Sequence, residues 1–96
     1  MGAYDRQPLD SGAVVAILTS IGVQVRDARQ ARGWHLSDLA DRVGLSPSVV
    51  CRMELARREP SLNQLISACA ALDMRFSGVL HRAEDDAFPL GHGPWR

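Results

Sequence analysis

Apolar residues in the middle of the chain recur three and four apart, in blocks separated by turn-forming residues, which is the pattern of short amphipathic helices. Ile21, Val25, Ala28 and Arg32 fall near one face of a first helix predicted over residues 20–32, and Gly33 is the residue that ends it. Leu36, Leu39, Ala40 and Val43 give a second helix closed by Gly44. Trp34 stands where a hydrophobic staple belongs and Asp38 at the far position of a capping box. His35 is a poor N-cap residue, although its neutral ring can accept a backbone N–H. The third helix follows only "GLS": Ser46 is placed to cap it, and Pro47 suits the first turn, where a missing N–H costs nothing. Val50 and Met53 point inward, and the helix is expected to end near Leu55 or Ala56. A fourth opens with Ser61 as cap and Gln64 completing a capping box. Leu62, Leu65, Ile66, Cys69 and Leu72 are its expected inner face, and Asp73 and Met74 begin a break.

Two segments stay open on pattern alone. "DSGAVVAILT", residues 10–19, either extends the first helix or forms a strand at a dimer seam, since its valines favour strand and its alanines helix. "RFSGVLHR", residues 75–82, fits a short fifth helix through Phe76, Val79 and Leu80, or an edge strand, because Gly78 weakens any helix there. The expected organisation is an N-terminal arm or extension over residues 1–19, a domain over 20–80, and a flexible tail over 81–96 in which Phe88, Leu90 and Trp95 offer an apolar end.

Composition narrows the function classes. Ninety-six residues suffice for one small domain, and 46% hydrophobic with 23% charged residues is an ordinary globular balance. The longest apolar run, "AVVAIL", is far short of the roughly 20 residues of a membrane span. The start "MGAYDRQPLDSG" lacks a positive leader before an apolar core and does not read as a signal peptide. Cys51 and Cys69 both fall in predicted helices, and with His35, His81 and His92 they show no metal-ligand spacing, so no metal or cofactor is expected. A reduced, cytoplasmic setting is the expectation. No Gly-rich phosphate loop or nucleophile motif is present, and an enzyme is not expected.

The net charge is zero, yet it is unevenly spread. Every basic residue is arginine, and residues 20–82 carry nine Arg against six Asp or Glu. Arginine suits bidentate contact with phosphate or guanine, and equally structural ion pairs. Two short helices joined by the tight "VGLS" link describe a helix-turn-helix, in which one helix braces across a DNA backbone and the next enters the major groove. A small all-α domain with no DNA role shows the same periodicity.

The ordered set Gly33, Leu39-Ala40, Gly44-Leu45-Ser46, Val50, Arg52-Met53-Glu54 and Pro60-Ser61-Leu62, spread over residues 21–74, resembles the Cro/C1-type (XRE) helix-turn-helix family. The resemblance implies an all-α, compact four- to five-helix bundle, with at most a short strand or arm outside the core. It implies a structural ion pair between Arg29 and Glu54, tying helix one to helix three. It also implies DNA contact from Ser46, Pro47, Ser48, Val49, Cys51 and Arg52, with Arg52 as the guanine reader. Arg57 and Arg58, in "LARREPS", match a loop that lies beside the phosphate backbone in relatives. Two positions depart from the family: His35-Leu36 stands where relatives carry Ser-Gln or Thr-Gln, and Leu55-Ala56 where they often carry Gly.

The leading expectation is a transcriptional regulator that binds double-stranded DNA as a homodimer. One alternative is an antitoxin of the same fold, because "MRFSGVLHRAED" resembles the strand-like extension through which some antitoxins pair and which accompanies binding of a toxin partner. Another is a protein-interaction domain using the apolar side of helix three.

Overall fold

The computed structural model describes residues 11–89, which form five helices: α1 (Ser11–Ala31), α2 (Leu36–Val43), α3 (Pro47–Glu54), α4 (Leu62–Ala71) and α5 (Phe76–Ala87). Among the described residues there is no strand. The core is built from Ile21, Val25, Leu39, Ala40, Val50, Cys69, Leu72, Val79 and Ala83, so every helix contributes to it.

Residues 11–19 and 76–82 of the two ambiguous segments are helical, Asp10 lying outside the described residues, and each helix is the reason for the other. α1 starts at Ser11 and carries Val14 and Val15 within it, because α5 runs alongside and gives the long helix a partner. The Ser20 hydroxyl donates to the Asp86 carboxylate at 2.6 Å, and the Gln24 amide donates to the Val79 carbonyl at 3.0 Å. α5 continues to Ala87, past the boundary expected at residue 80, since Ala83 is fully buried against the core. Gly78 lies on its exposed side, where propensity alone acts and packing outweighs it. The stretch "MRFSGVLHRAED" therefore does not form the strand-like extension that motivated the antitoxin alternative. Phe76 and Leu80 pack on the core, and Phe88 caps α5, its N–H bonded to the Glu84 carbonyl at 2.8 Å. Leu90 and Trp95 lie outside the described residues.

α4 turns three of its five expected inner residues, Leu65, Cys69 and Leu72, to the core. Leu62 and Ile66 are exposed, while Leu65, Ala68, Cys69 and Leu72 supply its inner stripe at spacing i, i+3, i+4, i+7. Its capping box forms as expected: Ser61 Oγ accepts from the Gln64 N–H and the Gln64 side chain accepts from the Ser61 N–H. At α2, Asp38 accepts from the His35 N–H at 2.7 Å.

Helices α1 to α4 all end on a left-handed residue. The residues are Gly33 (φ 70°), Gly44 (φ 72°), Ala56 (φ 56°) and Asp73 (φ 55°). In each case the next N–H reaches back five residues: Trp34 to Arg29, Leu45 to Ala40, Arg57 to Arg52 and Met74 to Cys69. This is the Schellman stop, and two of the four positions lack the glycine it favours.

Candidate nucleic-acid interface

The turn between α2 and α3 is set by local chemistry. Gly44 takes the left-handed conformation, Leu45 turns back to Ala40, and Ser46 is extended at φ −82°, ψ 153°. Ser46 Oγ accepts the Val49 N–H at 3.2 Å, with Pro47 in the first turn. The start of α3 is thus fixed: Pro47 has no N–H, Val49 donates to Ser46 Oγ and Val50 to the Ser46 carbonyl, so the Ser48 N–H is the first-turn donor left for an anion.

Burial divides α3 into two sides. Val50 and Met53 are buried in the core, whereas Pro47, Ser48 and Arg52 are exposed, and Val49 and Cys51 are half-buried along the edges. Ser48 and Arg52 are one turn apart and touch. The Arg52 guanidinium donates to the Ser48 carbonyl and to Ser48 Oγ, both at 3.4 Å, which is long for such bonds. Arg57 and Arg58 are exposed in the loop that follows, with Arg58 also bordering an apolar pit against α1.

Arg29 and Glu54 meet behind this helix. The guanidinium grips the carboxylate with two bonds, of 2.7 and 2.9 Å, and a third bond of 2.7 Å runs to the Trp34 carbonyl. Both residues are buried, at 8% and 5% exposure, so each charge depends on the other. The bonds to Glu54 raise the Arg29 pKa above its usual value, against the opposing effect of burial. Two turns earlier on α1, Gly22 lies so close to α3 that a methyl group on it would fall 2.4 Å from the Glu54 carbonyl oxygen and 2.8 Å from that of Met53. The C-terminal end of α3 rests directly on α1 backbone.

A feature missed in the sequence is the stacking at Trp34. The Arg42 guanidinium lies 3.9 Å and that of Arg32 5.2 Å from the ring centre. Arg32 also donates to the Leu72 carbonyl at 3.0 Å, so this arginine, placed on the core face by periodicity, instead ties the end of α1 to the end of α4. The signal for Arg42 was its position eight residues, about two turns, after the tryptophan that precedes the N-cap of α2, which puts both on one flank.

Among the described residues no group of His, Cys, Asp or Glu is arranged to hold a metal ion, and no helix is long and apolar enough to cross a membrane. Two short helices crossing at a tight turn, with the second braced from behind and polar in front, define a helix-turn-helix module of the DNA-binding class. The helix-turn-helix family model matches residues 25–79, from the middle of α1 to the first turn of α5. The chain belongs to this family, in its Cro/C1-type branch. No curated protein and no solved structure matches significantly.

Proposed function

We propose that this protein is a cytoplasmic transcriptional regulator that binds double-stranded DNA sequence-specifically, as a homodimer on a palindromic or repeated site. The observation that carries the reading is the two-sided α3: Val50, Met53 and Glu54 are locked inward while Ser48 and Arg52 stand exposed together. In this reading α3 enters the major groove. Arg52 releases Ser48 and takes the O6 and N7 acceptors of a guanine, while Ser48 bonds a base edge or phosphate. Val49 and Cys51 lie against thymine methyl groups or sugar. Ser46, Pro47 and the Ser48 N–H at the start of α3 approach a phosphate, and Arg57 and Arg58 hold the backbone beyond. These backbone contacts set position and salt dependence without choosing sequence.

Selection of bound duplexes from a random pool, with the wild-type chain and with Arg52→Ala, tests the reading. Wild type should enrich a two-part motif, and R52A should lose its preference at one guanine per half-site while still binding DNA at low salt. No enrichment over random DNA at low salt removes the regulator reading. Enrichment unchanged at every position in R52A removes Arg52 as the base reader.

A further inference from the structure

Residues 11–24 of α1 and 80–87 of α5 lie outside the stretch that the family model matches. These two stretches face one another across an open cleft of about 320 Å³, and every residue along it belongs to one of them. None of the residues assigned to DNA contact borders it. The apolar pit beside Arg58, by contrast, encloses about 10 Å³, room for a single water. The polar groups of the cleft are only partly committed. Ser20, at 8% exposure, donates to Asp86 Oδ2 at 2.6 Å and accepts from Gln24 Nε2 at 3.2 Å, and Gln24 Nε2 also donates to the Val79 carbonyl at 3.0 Å. This chain of bonds fixes the Asp86 carboxylate through one oxygen and leaves Oδ1 free to accept. Arg82 stands one turn before Asp86 on α5, a spacing at which opposite charges can pair, yet the two form no ion pair. Among the described residues, neither the Arg82 guanidinium nor the Thr19 hydroxyl bonds to anything. A cation, an anion and a hydroxyl with bonding capacity to spare thus border one cleft, beside the apolar side chains of Ala16 and Val23.

We propose that this cleft binds a free α-amino acid with an aliphatic side chain. Its volume lies within the range of small-molecule sites, roughly 300–1,000 Å³. Arg82 takes the ligand carboxylate with two parallel bonds. Asp86 Oδ1 and the Thr19 hydroxyl accept from the ammonium group, and the side chain lies against Ala16 and Val23. One helical turn separates the Arg82 and Asp86 Cβ atoms by about 5–6 Å, so the two charged groups can close on opposite ends of one small molecule. The pairing of charges is what selects a zwitterion. A simple anion on Arg82 would face the Asp86 carboxylate, and a simple cation on Asp86 would face the guanidinium. The ligand would bridge α5 to α1, and α1 is also the helix whose Gly22 and Arg29 brace α3. The site does not depend on the DNA reading, since it is complete without nucleic acid.

Scanning calorimetry of the full chain without DNA tests it, with alanine, valine and leucine as probes and with acetate and propylammonium as singly charged controls. Three polar contacts in an open cleft correspond to a dissociation constant of about 1 mM, so about 10 mM of a fitting amino acid should raise the melting temperature by roughly 6–10 °C. Arg82→Gln breaks no bond within the protein and should keep the ligand-free melting temperature. It should weaken binding at least about tenfold, which cuts the shift to about 3 °C or less. Asp86→Asn keeps an oxygen for the Ser20 hydroxyl but loses the charge, and should reduce the shift likewise. Arg75→Gln, at the exposed start of α5 and away from the cleft, should retain the full shift. The proposal is overturned if none of the three amino acids shifts the transition, or if the shift is undiminished in R82Q or in D86N. An equal shift from acetate or propylammonium overturns it too, because the cleft would then not select a zwitterion.

Discussion

Replacing Ala56 by glycine should stabilise the protein, against the usual direction for removing a side chain. Ala56 ends α3 at φ 56°, with its N–H bonded to the Met53 carbonyl at 3.1 Å and the following Arg57 N–H to the Arg52 carbonyl at 2.8 Å. The hydrogen bonds hold the residue in the left-handed region, where a Cβ costs about 1–2 kcal/mol. Glycine removes that strain but gains unfolded-state entropy worth about 0.4–1 kcal/mol. The net expectation is roughly 0.5–1 kcal/mol of added stability, or ~2–8 °C in melting temperature for a domain of this size. The reverse change supplies the control. A Cβ at Gly33 or Gly44 would meet nothing within 4 Å, so Gly33→Ala and Gly44→Ala should cost a similar amount through backbone conformation alone. Asp73→Gly, at φ 55°, should gain less than A56G, because aspartate tolerates the left-handed region better than alanine. Urea unfolding followed by circular dichroism reads each change as a shift in midpoint at constant slope. A lower midpoint for A56G, or none lost in G44A, would refute the reasoning.

Gly22→Ala should do more damage than any surface change, about 3 kcal/mol or more by urea unfolding, since the new methyl meets backbone oxygens that move only if α1 and α3 separate. A melting temperature within a degree of wild type would show that the helices part easily. Glu54→Ala leaves the Arg29 charge buried at 8% exposure without its partner, and should cost about 3–5 kcal/mol, with Glu54→Gln less harmful because one acceptor remains. Equal losses in the two variants would mean that the charge carries the whole interaction and that the remaining acceptor contributes nothing. A thiol reagent should modify half-buried Cys51 promptly. It should reach Cys69 only through unfolding, because Cys69 is 1% exposed and burial pushes its thiol pKa up. Comparable rates at both would contradict the burial.

The parts of this fold that were legible in the sequence are those whose causes are local. Ser46-Pro47, Ser61 with Gln64, Gly33 and Gly44 each act within a turn of their own position, and the structure has helix ends at all of them. The extent of α1 and of α5 was not legible, because each depends on the other: Ser20 meets Asp86 across 66 residues and Gln24 meets Val79 across 55. Local propensity at Val14, Val15 and Gly78 pointed elsewhere, and tertiary packing overrode it. Within the expected inner face of α4, Leu65, Cys69 and Leu72 held, and Leu62 and Ile66 failed for a related reason. Leu62 and Ile66 fit an apolar helical stripe as well as Ala68 does, and only the neighbouring helices select the stripe that starts at Leu65. At the site, the division of α3 into inward Val50 and Met53 and outward Ser48 and Arg52 followed from spacing. The Trp34 stack and the close approach at Gly22 join separate elements, and no single segment announces them.

The arrangement behind α3 bears on what its front can recognise. Core packing by Val50 and Met53, the Glu54–Arg29 bonds and the Gly22 contact, the last two both from α1, hold the helix, so its pose is set before any ligand arrives. The front is sparsely equipped. Of its residues only Ser48 and Arg52 carry strong hydrogen-bonding groups, and their mutual bonds at 3.4 Å are long enough to be exchanged for contacts to a base at little cost. A rigid helix with one bidentate reader discriminates strongly at one position, by about 1–3 kcal/mol, and weakly where Val49 and Cys51 make only apolar contact. On the proposed reading, selected sequences should thus show one sharply specified guanine in each half-site flanked by diffuse preference for thymine. A motif with several equally sharp positions would require readers that α3 does not possess, and would place part of the specificity outside this helix.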